Sequence, residues 1–98
     1  IAVKIGKFPF AASGRAMAVN ETAGFVKSII SAETDQVLGV GIVGPEASEL
    51  IAEATLAIEM CAHADDVALT IHTHPTLAEA MNESFRHALK EAIHIVNK

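Results

Sequence analysis

A chain of 98 residues that is 51% apolar but only 4% aromatic, with no Trp and no Tyr, has room for one domain and one core, much of it alanine. Its formal net charge of −5, with acidic residues scattered along the chain, offers no basic patch to neutralise phosphates and excludes nucleic acid as the expected partner. No apolar run approaches the ~20 residues that a membrane-spanning helix needs, and the single Cys61 excludes an intrachain disulfide, reading instead as a free, buried thiol in a reducing setting. A core so poor in large side chains should leave apolar surface to meet another protein. The chain opens at Ile1-Ala2-Val3 without an initiator methionine, and the expectation is a fragment or excised domain.

The first apolar residues alternate as Ile1, Val3 and Ile5, and Gly6, Pro9 and Gly14 then punctuate the chain, which predicts a strand over Ile1–Ile5 followed by a loop. Phe8 and Phe10, on either side of Pro9, are expected to plug the core. Phe25–Ile30 and Val37–Val43 are rich in β-branched residues, and the polar Ala32-Glu33-Thr34-Asp35 between them reads as the turn of an antiparallel hairpin. Pro45 stands where a first helical residue is tolerated, and Glu46 and Glu49 favour the positive end of a helix. Leu50, Ala54, Ala57, Ile58 and Cys61 then recur at helical spacing, so that helix should end near Met60–His63. Asp65–Leu69 reads as one further helical turn, and Thr70–His74 as an extended run into Pro75. Beyond Pro75, Leu77, Met81, Phe85, Leu89, Ala92 and Val96 form one apolar stripe, with Glu83, Arg86, Lys90 and Glu91 on the other faces. That pattern predicts an amphipathic helix of about 20 residues. Strands first and helices after them imply an α+β fold, a small antiparallel sheet with helices packed on one face, and no repeat, linker or low-complexity segment divides residues 1–98.

Three constellations bear on chemistry. Gly39-Val40-Gly41-Ile42-Val43-Gly44 matches the dinucleotide pattern GxGxxG ahead of a helix. That fingerprint needs a complete strand before its first glycine, whereas Val40, Ile42 and Val43 make this motif the strand itself; its glycines are expected to permit close packing on one sheet face. Cys61, His63, His72 and His74 form the second, because His-x-His on a strand points two imidazoles to one side, and they define the alternative function, a metal-binding or purely structural interaction module. The spacing speaks against it: structural zinc sites pair ligands tightly in both halves, and Cys61-x-His63 falls at a helix end.

His72-Thr73-His74-Pro75-Thr76-Leu77-Ala78-Glu79 is the third and sharpest. Pro75 biases His74 away from the helical conformation, so its imidazole should stand free at the mouth of the last helix. Thr76-x-x-Glu79 has the form of a capping box and puts Glu79 in the first turn, within reach of His74. A carboxylate that accepts a hydrogen bond from one ring nitrogen fixes the tautomer, leaves the other nitrogen as a base, and stabilises the imidazolium once a proton is taken. That arrangement suits proton abstraction from a thiol. On spacing alone a second reading is equally open, in which Glu79 only caps the helix and His74 is merely exposed. His63, His87 and His94 read as solvated surface.

These residues resemble a known family over the whole chain: the C-terminal interface domain of dihydrolipoamide dehydrogenases, within the pyridine-nucleotide disulfide oxidoreductases. Gly6-Lys7-Phe8-Pro9-Phe10-Ala11-Ala12 with Arg15-Ala16 looks like that domain's opening segment, and Leu38-Gly39 with Gly44-Pro45 and Glu49 looks like its hairpin exit. His-x-His-Pro-Thr-Leu-x-Glu at residues 72–79 is the most specific part. Glutathione reductases also carry a His-Pro-Thr element, whereas the paired His-x-His and the following Leu lean toward the lipoamide branch. Ala78 departs from the Ser usual in the family and is expected to matter little, since His74 and Glu79 are both in place.

The resemblance implies that residues 1–98 form a dimerisation domain. It implies that His74 is the acid/base taking the proton from dihydrolipoamide, that Glu79 holds it, that His72 supports it, and that Pro75 shapes the turn facing the partner subunit's flavin. It further implies FAD and NAD in upstream domains absent from this chain, no cofactor or metal bound here, and no redox activity in the isolated chain. The implied partners are a second copy in a homodimer, those upstream domains, and the peripheral subunit-binding domain of a dehydrogenase-complex acyltransferase. A bacterial cytoplasm or a mitochondrial matrix is the implied setting.

Overall fold

The computed structural model describes residues 2–19, 23–44, 46–91, 95 and 97. Three strands, β1 (Val3–Pro9), β2 (Phe25–Ser31) and β3 (Val37–Val43), form an antiparallel sheet in the order β1-β2-β3. The first strand runs past Ile5 to Pro9, because Gly6, Lys7, Phe8 and Pro9 pair with Ser28, Lys27, Val26 and Phe25. Ile1 lies outside the described residues. The Ala32–Asp35 turn joins β2 to β3 as predicted, with Asp35 in the left-handed region at φ 65°. Leu38 forms a bulge: Ile29 pairs with Gly39 and Ile30 with Val37, leaving Leu38 without an opposite number.

After a 3-10 turn at Phe10–Ala12, helix α1 (Gly14–Ala18) stands where the glycine and proline pattern predicted a loop. Ser13 makes it possible by accepting the Ala16 N–H on its hydroxyl at 3.2 Å. The remaining helices are α2 (Ala47–Glu59), α3 (Ala64–Ala68) and α4 (Glu79–Ala88). Alternation along β1 and β2 turns Gly6, Phe8, Val26, Ser28 and Ile30 to the buried side. There α4 lies across β1 and β2, α2 packs on β3, and α3 packs on α4. The result is the α+β arrangement expected from the sequence. Phe8, Phe10 and Phe85 are fully buried in a core otherwise rich in alanine, each side chain of that size contributing about 1.5–3 kcal/mol. Gly6 lets the layers meet, since a Cβ there would collide with the Ser84 carbonyl oxygen that accepts the Ser28 hydroxyl at 2.9 Å.

Further expectations are corrected. The last helix has 10 residues rather than about 20. Lys90 turns left-handed at φ 63°, and its N–H and that of Glu91 close back on the His87 and Arg86 carbonyls at 3.0 and 2.6 Å, a Schellman stop. The stripe holds for Leu77, Met81, Phe85 and Leu89; Ala92 and Val96 lie outside the described residues. Glu83, expected on a polar face of α4, is buried at 3% exposure on the side that meets the sheet. Cys61 is exposed, because it is not on the apolar face of α2 at all: it is the left-handed residue, φ 54°, of a second Schellman stop in which Ala62 N–H returns to the Ala57 carbonyl at 2.9 Å. In α2 itself only Ala54 and Ala57 are buried, and Ile58 faces outward; Pro45 lies outside the described residues. Finally, Gly39 and Gly41 make no tight contact among the described residues, since a Cβ at Gly41 meets nothing within 4 Å and one at Gly39 only touches Ile29; of the motif's glycines Gly44 alone packs closely, against the Phe10 ring.

Candidate functional site

The site is built on the segment between α3 and α4. Asn82 and Arg86, one turn apart on α4, reach back to the end of α3: Asn82 Nδ2 donates to the Ala68 carbonyl at 2.8 Å, and Arg86 Nη2 donates to the same oxygen at 2.8 Å. Carbonyls at a helix end have no partner within the helix, so these two side chains satisfy α3 and tie it to α4. The chain then leaves through Thr70, whose hydroxyl donates to the Asp66 carbonyl at 2.6 Å, and crosses to α4 by way of His72, His74 and Pro75. The His74–Pro75 peptide bond is cis.

His74 and Glu79 meet. Nδ1 of His74 lies 2.9 Å from both Glu79 carboxylate oxygens. Glu79 Oε1 also accepts the Thr76 N–H at 2.9 Å, while the Thr76 hydroxyl donates to the Thr73 carbonyl instead of capping the helix. The capping box therefore forms by half, and the two readings of Glu79 turn out to be compatible: one carboxylate both caps the turn and holds the imidazole. With Nδ1–H committed to a carboxylate, the neutral ring carries its lone pair on Nε2. The side chain of His74 is 69% exposed and that of Glu79 24%, so the held edge is covered and the rest of the ring faces outward. Beside the ring lies a cavity of about 190 Å³ lined by Phe8, Ala12, Ser13, Gly14, Met17, Glu79 and Glu83.

His72 does not join this pair. Its Nε2 lies 2.6 Å from Oε2 of Glu53 on α2, and its Nδ1 lies 2.9 Å from the Thr70 carbonyl. The two imidazoles of His-x-His thus go to carboxylates on two different helices rather than to one side of a strand, because the segment is irregular. Both nitrogens of His72 face acceptors, an arrangement that only the doubly protonated ring satisfies in full. Its pKa is accordingly raised, chiefly by the Glu53 hydrogen bond, with burial opposing and the charge of Glu53, the Thr70 carbonyl and the charge of Glu79 assisting. Sequence reasoning missed Glu53; its one signal was a carboxylate interrupting the apolar run Leu50–Ile58.

The other histidines and the cysteine are dispersed. His63 precedes α3, and its N–H donates to Asp66 Oδ2 at 2.8 Å. His87, expected to be solvated surface, is half-buried, and its Nδ1 accepts the Lys7 N–H of β1 at 2.9 Å; His94 lies outside the described residues. Among the described residues no group of three or more His, Cys, Asp or Glu is placed to hold a metal ion, and His72 has both nitrogens engaged. Residues 39–43 of the GxGxxG motif lie in strand β3, each paired with β2, and only Gly44 follows it, so the motif does not fit a dinucleotide cradle. No helix among the described residues is long and apolar enough to cross a membrane.

The family model described as "Pyridine nucleotide-disulphide oxidoreductase, dimerisation domain" matches residues 1–85. The chain is 56% identical over 96 residues to dihydrolipoyl dehydrogenase of Thermus scotoductus, covering 98% of this chain and 21% of that protein. It is 56% identical over 84 residues to the mitochondrial dihydrolipoyl dehydrogenase of Caenorhabditis elegans, covering 86% of this chain and 17% of that protein. In three dimensions it superposes on LpdA from Mycobacterium tuberculosis with a TM-score of 0.83 and 29% identity, covering 88% of this chain and 19% of that one. The chain spans about a fifth of the length of these relatives. It belongs to the dimerisation-domain family of the pyridine nucleotide-disulphide oxidoreductases.

Proposed function

We propose that residues 1–98 are the dimerisation domain of a dihydrolipoamide dehydrogenase and that His74 and Glu79 form the acid/base couple it lends to the disulfide and flavin site of the partner subunit. The contact of both Glu79 oxygens with Nδ1 of His74, at 2.9 Å, carries the reading. A ring held at one nitrogen and exposed at its other edge is suited to accept a proton from a group on a facing surface. In the proposed step the S–H bond of dihydrolipoamide breaks, its proton passes to Nε2, the sulfur keeps the electron pair as a thiolate, and Glu79 stabilises the imidazolium. Pro75, exposed beside His74, shapes the turn toward the partner.

FAD and NAD belong to upstream domains in this proposal, where the flavin supplies the redox chemistry; the chain alone is then inactive. A second copy in a homodimer, the upstream domains and the peripheral subunit-binding domain of a complex acyltransferase are the proposed partners, in a bacterial cytoplasm or a mitochondrial matrix. The test is His74→Gln in the full-length enzyme. Turnover of dihydrolipoamide should fall by at least ~10²-fold, as for a lost acid/base group, with flavin content and dimer intact. Near-normal turnover rejects the assignment.

A further inference from the structure

Two histidine and carboxylate pairs flank one short segment, and the proposed proton transfer uses only one of them. No backbone ladder fixes the segment, though Pro75 lies close to Gly14 of α1. Among the described residues, no backbone-to-backbone hydrogen bond involves residues 71–75, and Ile71, Thr73, His74 and Pro75 are exposed. What holds it is side chains: His72 on the Thr70 carbonyl and Glu53, the Thr76 hydroxyl on the Thr73 carbonyl, and His74 on Glu79. Of these, the contact with Glu53 alone reaches outside the α3–α4 unit. Glu53 stands on α2, the helix packed on β3, with Ala54 and Ala57 buried beside it, and the His72 side chain is only 8% exposed.

We propose that Glu53 is a positioning residue: through His72 it fastens the segment 72–75 to α2 and so sets where the His74 imidazole stands. The proposal rests on the reading of His74 as the base. The clamp depends on charge. His72 is acted on by Glu53 from α2 and Glu79 from α4, and its Nε2–H is present for Glu53 together with Nδ1–H for Thr70 only while the ring is protonated. Deprotonation costs one of the two bonds and frees the segment on one side.

The test uses the full-length flavoenzyme with Glu53→Ala, Glu53→Gln and His74→Gln, followed by turnover of dihydrolipoamide against pH. Glu53→Ala should lower kcat about tenfold, as for a displaced reacting group, with flavin content and dimer unchanged. Glu53→Gln should recover most of that loss, because an amide accepts from a charged ring and donates to a neutral one, and its activity should fall less steeply as pH rises. In histidine-labelled enzyme the His72 ring should titrate at lower pH in Glu53→Gln than in the parent. Parent-like kcat, pH profile and His72 titration in both Glu53 variants, beside an inactive His74→Gln, overturn the positioning proposal alone. Loss of flavin or dimer in Glu53→Gln in step with activity also overturns it, in favour of a structural role. A fully active His74→Gln overturns the base assignment and this proposal with it.

Discussion

Both oxygens of the Glu79 carboxylate lie 2.9 Å from Nδ1 of His74, and one of them also accepts the Thr76 N–H. Glu79→Gln separates the two duties. The amide oxygen can still accept from Thr76, so the local turn should survive with a loss of no more than about 1 kcal/mol. The charge that stabilises a His74 imidazolium is gone, and in the full-length enzyme kcat should drop by about tenfold or more. Parallel measurement of turnover and of thermal unfolding checks this; a large fall in stability with turnover preserved would assign Glu79 to the fold alone.

The second carboxylate pair gives a pH dependence with a definite sign. The pKa of folded His72 is raised above its ordinary 6.5 by Glu53, so folding takes up protons on this ring. Its stabilising contribution is complete below about pH 6.5 and is lost as pH rises through the raised folded value. Urea unfolding of the 98-residue chain at a series of pH values should therefore show the gap between the parent and His72→Gln widest on the acid side of neutrality and closing on the alkaline side. A gap that grows with pH reverses the assignment.

What could be read from the sequence was local, and what could not was tertiary. The hairpin of β2 and β3 announces itself through β-branched runs around a polar turn, and Glu79 is legible because the Thr76-x-x-Glu79 spacing puts it at the start of the helix that follows His74. Glu53 is not legible there, since the 19 positions that separate it from His72 in the chain are bridged only by the way α2 and the 70–76 segment pack. The length of α4 misled because its apolar period continues through Ala92 and Val96, while the stop at Lys90 lacks the glycine that normally marks it. Cys61 departs in the same way: helical spacing beyond Glu59 puts it on the apolar face, whereas it is the turning residue after the helix. In both cases the backbone adopts a conformation that side chains other than glycine disfavour, and composition gives no warning of it.

The family places this domain at a subunit contact, and the outer face of α2 carries the side chains for one. Leu56 and Met60, one turn apart, are exposed, and they share a shallow cleft with Thr70, next to exposed Leu69 and Ile71. Large apolar residues gathered on one face of a small domain mark a surface to be covered. The double substitution Leu56→Glu with Met60→Glu in the full-length protein should shift sedimentation from dimer toward monomer at micromolar concentration. It should leave the secondary structure unchanged, since neither residue belongs to the core. An undisturbed dimer moves the subunit contact to another face.

Cys61 offers a stability test independent of function. It stands at φ 54° in the stop that ends α2, where a β-carbon costs about 1 kcal/mol and glycine costs almost none. The side chain is exposed, so removing it sacrifices no core contact. Against this runs the greater freedom of glycine in the unfolded chain, which takes back a few tenths of a kcal/mol. Cys61→Gly should on balance stabilise the domain by about 0.5 kcal/mol and raise its melting temperature by a few degrees, whereas Cys61→Ala, which keeps the β-carbon, should leave it where it was. Equal melting temperatures for all three proteins would mean that the left-handed turn carries no strain for glycine to relieve.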